Sequence, residues 1–243
     1  MIFKNLFLFI EKKIRSLYLN SGIYNKKISS FNDGSLRYRP SPSLLDCLIK
    51  YNKKKINIGS YSLDKIWLDQ NLIGKDYDNL NSFFWLFSLD LKSSKKDTQN
   101  IISQWIEINN RYSSKSWEVD IIAKRVIAWI SSSKLTYEDA GPVYRSKFDN
   151  IIKKQINHLI NEIEKDEWVD NKMVGCSAII LAGISYDHKN GYLKFGLNLL
   201  KKIIKFSFDN SGFPKSRNIR QLSFYLKYFI LIREWLKESQ NEI

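Results

Sequence analysis

Between residues 144 and 165 the apolar side chains Phe148, Ile152, Ile156, Leu159 and Ile163 recur every three or four positions, with lysines between them. Only an α-helix gathers residues at that spacing onto one face, so this stretch is expected to be helical with its lysines outward. Residues 116 to 129 repeat the pattern. There Ser116 reads as an N-cap, Glu118 and Asp120 as first-turn carboxylates that suit the helix dipole, and Ile122, Val126 and Trp129 as one stripe. Arg125 stands beside that stripe and admits two readings: a buried cation paired with an acid from elsewhere, or a cation directed into a cleft.

The chain offers little to interrupt such helices, with four prolines and ten glycines in 243 residues. The fold class expected is all-α. A first amphipathic helix covers about residues 2 to 19, and a polar stretch follows through Ser41. Ser43 caps a short helix with Leu44, Leu45, Leu48 and Ile49. Residues 76 to 91 form one helix with Leu80, Phe84, Phe87 and Leu91 on a face. The next opens at Ser94 or Asp97 and turns Ile101, Trp105 and Ile108 inward. After the 116 helix the chain breaks at Ala140-Gly141-Pro142. Helices over 172–185 and 191–207 follow, the second with Leu193, Leu197, Leu200 and Ile204 aligned. Asp209-Asn210-Ser211-Gly212 precedes a last helix carrying Leu222, Tyr225, Phe229, Ile232 and Leu236. Helices of this length joined by short turns pack as antiparallel hairpins, and the missing sequence period argues against a repeat solenoid. Two regions are expected: an N-terminal helix with its polar linker (1–42) and a helical domain (43–243).

A net charge of +14 suits nucleic acid, an acidic membrane surface or an acidic polysaccharide, although lysines spread over every helix describe a solvated surface as well. No helix-turn-helix, zinc or RNA-recognition motif can be read, which makes nucleic acid an unlikely partner. No apolar run is long enough to span a membrane, and Glu11-Lys12-Lys13 cuts the opening run short of a signal peptide. Cys47 and Cys176 match no metal spacing and are compatible with a reducing compartment; without a signal peptide the location is left as cytoplasmic or undetermined. Neither a metal nor a cofactor is expected.

Four landmarks occur in order: Trp117 through Trp129 with its Arg-x-x-x-Trp, His158-Leu159-x-x-Glu162, the small-residue segment Cys176 to Gly183, and the turn Asp209-Asn210-Ser211-Gly212-Phe213-Pro214-Lys215-Ser216-Arg217-Asn218. Over about residues 60 to 240 this order resembles the helical half of the heparinase II/III family of polysaccharide lyases. The resemblance implies an incomplete (α/α) toroid built from antiparallel hairpins, with an acidic sugar polymer in its concave cleft. It also implies a β-sandwich half downstream, of which nothing is read here, so the chain is expected to be a fragment. Related lyases are often periplasmic.

Eliminative cleavage of a uronate polymer needs a neutralised carboxylate, a base for the adjacent C–H and an acid for the leaving oxygen. The resemblance implies Asn171, His158 and Tyr225 as the nearest counterparts of these groups. It also departs from the family: Asp170 stands where a neutral amide is usual, and Ile219 and Arg220 follow the turn where a tyrosine is usual. Tyr225 is two turns further on. His158 can equally be a partnered helix histidine, and Trp117 can be core, cleft wall or sugar platform. Lys215, Arg217 and Arg220 crowd a turn and the start of a helix, where cations oppose the dipole unless an anion sits among them. Together with Asn218, Arg125 and Trp117 they are the expected substrate contacts. The function expected is a polysaccharide-lyase-like domain that binds an acidic glycan and cleaves it slowly or not at all. The alternatives are a silent glycan-binding scaffold or a basic nucleic-acid-binding protein.

Overall fold

The structure is a computed structural model that describes residues 2–30, 34–41, 44, 45, 48, 73–89, 95–186 and 191–240. Among these residues ten α-helices form: α1 (Ile2–Leu19), α2 (Gly22–Ile28), α3 (Gly74–Ser82), α4 (Lys95–Asn109), α5 (Val119–Ser131), α6 (Ser133–Thr136), α7 (Pro142–Glu162), α8 (Val169–Ser185), α9 (Tyr192–Ser207) and α10 (Ile219–Glu238). No β-strand forms among the described residues; one isolated bridge joins Phe208 to Pro214. Residues 44, 45 and 48 are helical, whereas Ser43, Cys47, Ile49 and Leu91 lie outside the described residues.

The molecule is organised around α8. Every residue from Met173 to Ser185 is buried, as expected of a helix that is apolar or small on all sides. α5, α7, α9 and α10 pack around it. Small residues set the closeness of these contacts. A Cβ on Gly183 would stand 2.4 Å from the Leu193 backbone nitrogen, and one on Gly196 would stand 2.6 Å from the Ile180 side chain. These contacts run oppositely along the two chains, so α8 and α9 are antiparallel. α5 and α7 are antiparallel too, because Arg125 meets Gln155 while Trp129 meets Phe148.

α7 buries the five residues its spacing predicts. Burial of five such side chains contributes about 10 kcal/mol before entropy is counted. One of its lysines departs from the outward pattern. Lys153 is buried, with Nζ 5.6 Å from the centre of the Tyr186 ring. One turn earlier the buried Asp149 accepts hydrogen bonds at 2.9 Å from the hydroxyls of both Tyr137 and Tyr186. Burial pushes this carboxyl above its usual range, and the two phenols partly offset that.

Several expectations need correction. The polar stretch after α1 contains α2, capped by the Ser21 side chain, with Tyr24 and Ile28 in the core. The expected 76–91 helix breaks at Phe83, which adopts a left-handed backbone (φ 57°) before a 3-10 turn over Phe84–Ser88. An unbroken helix would spread five successive bulky residues around its circumference. The break instead drives the Phe83 ring between Trp105 and Trp129, at 6.1 and 5.0 Å, where it is fully buried. That burial offsets a backbone cost of about 1–2 kcal/mol. Ile108 points outward, and Ile102 and Ile106 take the inward places with Ile101 and Trp105. α5 begins at Val119, with Glu118 rather than Ser116 as its N-cap; the Ser116 hydroxyl donates to Asn109 Oδ1 at 2.8 Å. On α9 the buried stripe is Tyr192, Gly196, Leu199 and Ile203, one position away from the expected ridge, and Ile204 is exposed.

Arg125 is the largest correction. Its guanidinium is fully buried and, among the described residues, pairs with no carboxylate. It donates to the Asn81 carbonyl at 2.8 Å, the Ser116 carbonyl at 2.9 Å and Gln155 Oε1 at 3.0 Å, and it lies 4.0 Å from the centre of the Trp105 ring. The residue therefore ties α3, the 110–118 loop, α4 and α7 to α5, and it does not line a cleft.

Candidate functional site

A cavity of about 550 Å³ opens between α1, the loop before α5, the end of α7 and the start of α8. Trp117, His158 and Asn171, three of the residues singled out by sequence, all line it. The reason is local. Trp117 ends the loop before α5, His158 lies one turn from the end of α7, and Asn171 is in the first turn of α8. The packing of α5 and α7 against α8 brings those ends together.

His158 forms the floor. Its Nδ1 is 2.8 Å from the Tyr24 hydroxyl, and the ring has a backbone hydrogen bond at Trp117. Burial pushes its pKa down to about 4, with Glu162 opposing, so the ring is neutral near pH 7. The Tyr24 hydroxyl thus occupies the Nδ1 position of the ring. Trp117 is 1 % exposed, and its ring N–H donates to the Asn109 carbonyl at 3.2 Å.

Charge is distributed unevenly over the walls. Glu162 is ion-paired to Arg15 and, at 2.8 Å, to Lys165. Burial raises its carboxyl, but those two cations outweigh burial and hold it below the usual range. Across the cavity stand Glu118, Asp120, Asp166 and Glu167. Glu118 is raised by burial first and then by the like charges of Asp78, Asp120 and Asp166. Asp166 accepts from the Trp168 backbone N–H at 2.7 Å and from Asn171 Nδ2 at 3.2 Å, which fixes the amide at the rim. The indole of Trp168, 71 % exposed, stands at the same rim. Sequence reasoning missed Trp168, although an isolated Glu-Trp pair three residues before Asn171, between two helices, was a readable sign.

The remaining expected residues gather on the other side of the α8 N-terminus. Asp170, the neighbour of Asn171, accepts from Gln221 Nε2 at 2.9 Å, and Gln221 accepts from the Ser216 hydroxyl at 2.5 Å. Tyr225 joins this network with its ring fully buried, and burial pushes its pKa up to about 12. It is not among the residues lining the cavity. Asn218 caps α10, its side-chain oxygen accepting from the Arg220 N–H at 3.0 Å. Arg217, in a left-handed backbone (φ 55°), pairs with Asp209 at 2.8 Å, and Lys215 donates to the Lys205 carbonyl near the end of α9 at 3.0 Å. Two of the three cations thus have partners, Arg217 within the turn and Lys215 on α9, and Arg220 is exposed.

Compared with protein-family models, with curated proteins and with solved structures, the chain matches none. Among the described residues no helix is long and apolar enough to cross a membrane.

Proposed function

We propose that this chain is a glycan-binding helical domain of the heparinase II/III type, an incomplete (α/α) toroid that holds a segment of an acidic polysaccharide in the cavity beside α8. The observation that carries the reading is the convergence of Trp117, His158 and Asn171 on one cavity with an exposed indole, Trp168, at its rim. The antiparallel pairs α5/α7 and α8/α9 support the toroid. An indole face covers the C–H side of a pyranose, while an amide and carboxylates hydrogen-bond its hydroxyls. The acidic groups of such a polymer face outward, toward Lys12 and Lys165, because the inner wall is itself acidic. The function proposed is binding without cleavage: His158 Nδ1 is already in contact with the Tyr24 hydroxyl, and Tyr225 is packed away from the cavity.

One observation favours a second reading. Five carboxylates line the cavity against three cations, a balance that suits an amino-sugar polymer. Titration with oligomers of alginate, heparin, polygalacturonate and chitosan, with duplex DNA as a polyanion control, separates the two. The acidic oligomers are expected to bind, Trp168→Ala to weaken binding about tenfold or more without lowering the melting temperature, and no unsaturated product to absorb in the ultraviolet. Binding of chitosan alone supports the second reading. Glycan affinity unchanged by Trp168→Ala, or no stronger than that for DNA, overturns both.

A further inference from the structure

Among the described residues α1 has little tertiary support: it contacts α2 and meets the body at buried Leu19 and through the Arg15–Glu162 ion pair, while every residue from Phe9 to Tyr18 is exposed. An 18-residue helix in that state is marginal in water and gains from a surface that covers its apolar side. That side is well defined. Ile10, Ile14 and Leu17 fall at helical spacing with exposures of 47, 62 and 73 %. Ile23 of α2, 77 % exposed, adds to it.

The surrounding charge selects the occupant. Residues 1–28 carry six cations, Lys4, Lys12, Lys13, Arg15, Lys26 and Lys27, against one acid, Glu11. A second copy of this chain would bring two such segments together and repel. A surface that is both apolar and anionic matches both properties at once, and no helix among the described residues is suited to crossing a bilayer. We infer that α1, with the start of α2, is an interfacial anchor that lies on the surface of a bilayer containing anionic phospholipid, its Ile10–Ile14–Leu17 stripe among the acyl chains and its lysines among the headgroups. Because Lys12, Arg15, Ser16 and Leu19 also line the cavity, a chain held in this way carries the mouth of the cavity close to the lipid surface.

The experiment is co-sedimentation of the full chain with vesicles of phosphatidylcholine alone or with about one third phosphatidylglycerol, at about 0.1 M salt. The anionic vesicles are expected to bind at least about tenfold more tightly. Ile14→Asp with Leu17→Asp is expected to lower that affinity about tenfold or more while circular dichroism keeps the helical content of the body, since both side chains are exposed. Lys13→Glu with Lys26→Glu and Lys27→Glu provides a second variant that leaves the apolar stripe intact, and it is expected to erase the preference for anionic lipid. Three results overturn the inference: equal binding to both vesicles, full binding by Ile14→Asp/Leu17→Asp, or no vesicle binding with a dimer in sedimentation velocity that the aspartate pair abolishes.

Discussion

Replacing Arg125 with alanine tests whether a buried cation bound by carbonyl and amide oxygens is a structural tie. The guanidinium donates three hydrogen bonds of 2.8–3.0 Å, to two backbone carbonyls and one amide oxygen, and covers the face of Trp105. Alanine leaves those acceptors buried without a donor and opens a void. Each orphaned acceptor costs about 1–3 kcal/mol, and truncation of a fully engaged buried charge costs roughly 3–5 kcal/mol, so a loss of about 4 kcal/mol is expected. For a chain of this size that corresponds to a melting temperature lower by roughly 8–16 °C. Arg125→Lys keeps the charge and reaches one acceptor in place of three, and about half the loss is expected. Urea unfolding followed by circular dichroism, with the slope checked for constancy, gives the number directly. A loss below about 1 kcal/mol for alanine would refute the reasoning, because it would mean that solvent reaches the site and satisfies the carbonyls.

Gly183→Ala is expected to cost about 2 kcal/mol or more, because its Cβ would strike the Leu193 backbone, a contact that no side-chain rotation relieves, whereas Gly22→Ala, with nothing within 4 Å, is expected to stay within about 0.5 kcal/mol; thermal melts of the two variants provide the check. His158 gives a pH dependence. Its folded pKa of about 4 lies below its ordinary 6.5, so the unfolded chain takes a proton that the folded chain refuses, and its contribution is whole above about pH 6.5 and fades as pH falls toward 4. Unfolding free energy measured from pH 7 to pH 4 should fall by about 3 kcal/mol more in the native chain than in His158→Gln.

The helices of the body could be read from the sequence because their burial is periodic: Phe148 through Ile163 is a stripe that only one conformation satisfies. What escaped reading depends on contacts between distant residues. The break at Phe83 has no glycine or proline to announce it and is set by the space between Trp105 and Trp129. α2 is short and polar, and only Tyr24 and Ile28 reveal it. On α9 two adjacent apolar ridges compete, and the buried one contains Gly196, which a hydrophobic count scores as blank although it permits a close approach to α8. In the candidate site, Trp117, His158 and Asn171 were legible as residues, but not their surroundings. No sequence pattern indicates that Tyr24 occupies the His158 nitrogen, or that Arg125 is satisfied by carbonyls.

The position of α8 in the chain has a consequence for biosynthesis. When its last residue emerges from the ribosome, α5 and α7 are already outside, but α9 and α10, which close its remaining sides, have not emerged. The nascent chain therefore passes through an interval in which an apolar helix is half sheathed and sticky, and its folding cannot be completed in the order of synthesis. A ribosome that pauses before α9 emerges prolongs exposure of that surface to chaperones and to other nascent chains, whereas one that pauses once α10 has emerged lets α8 be covered.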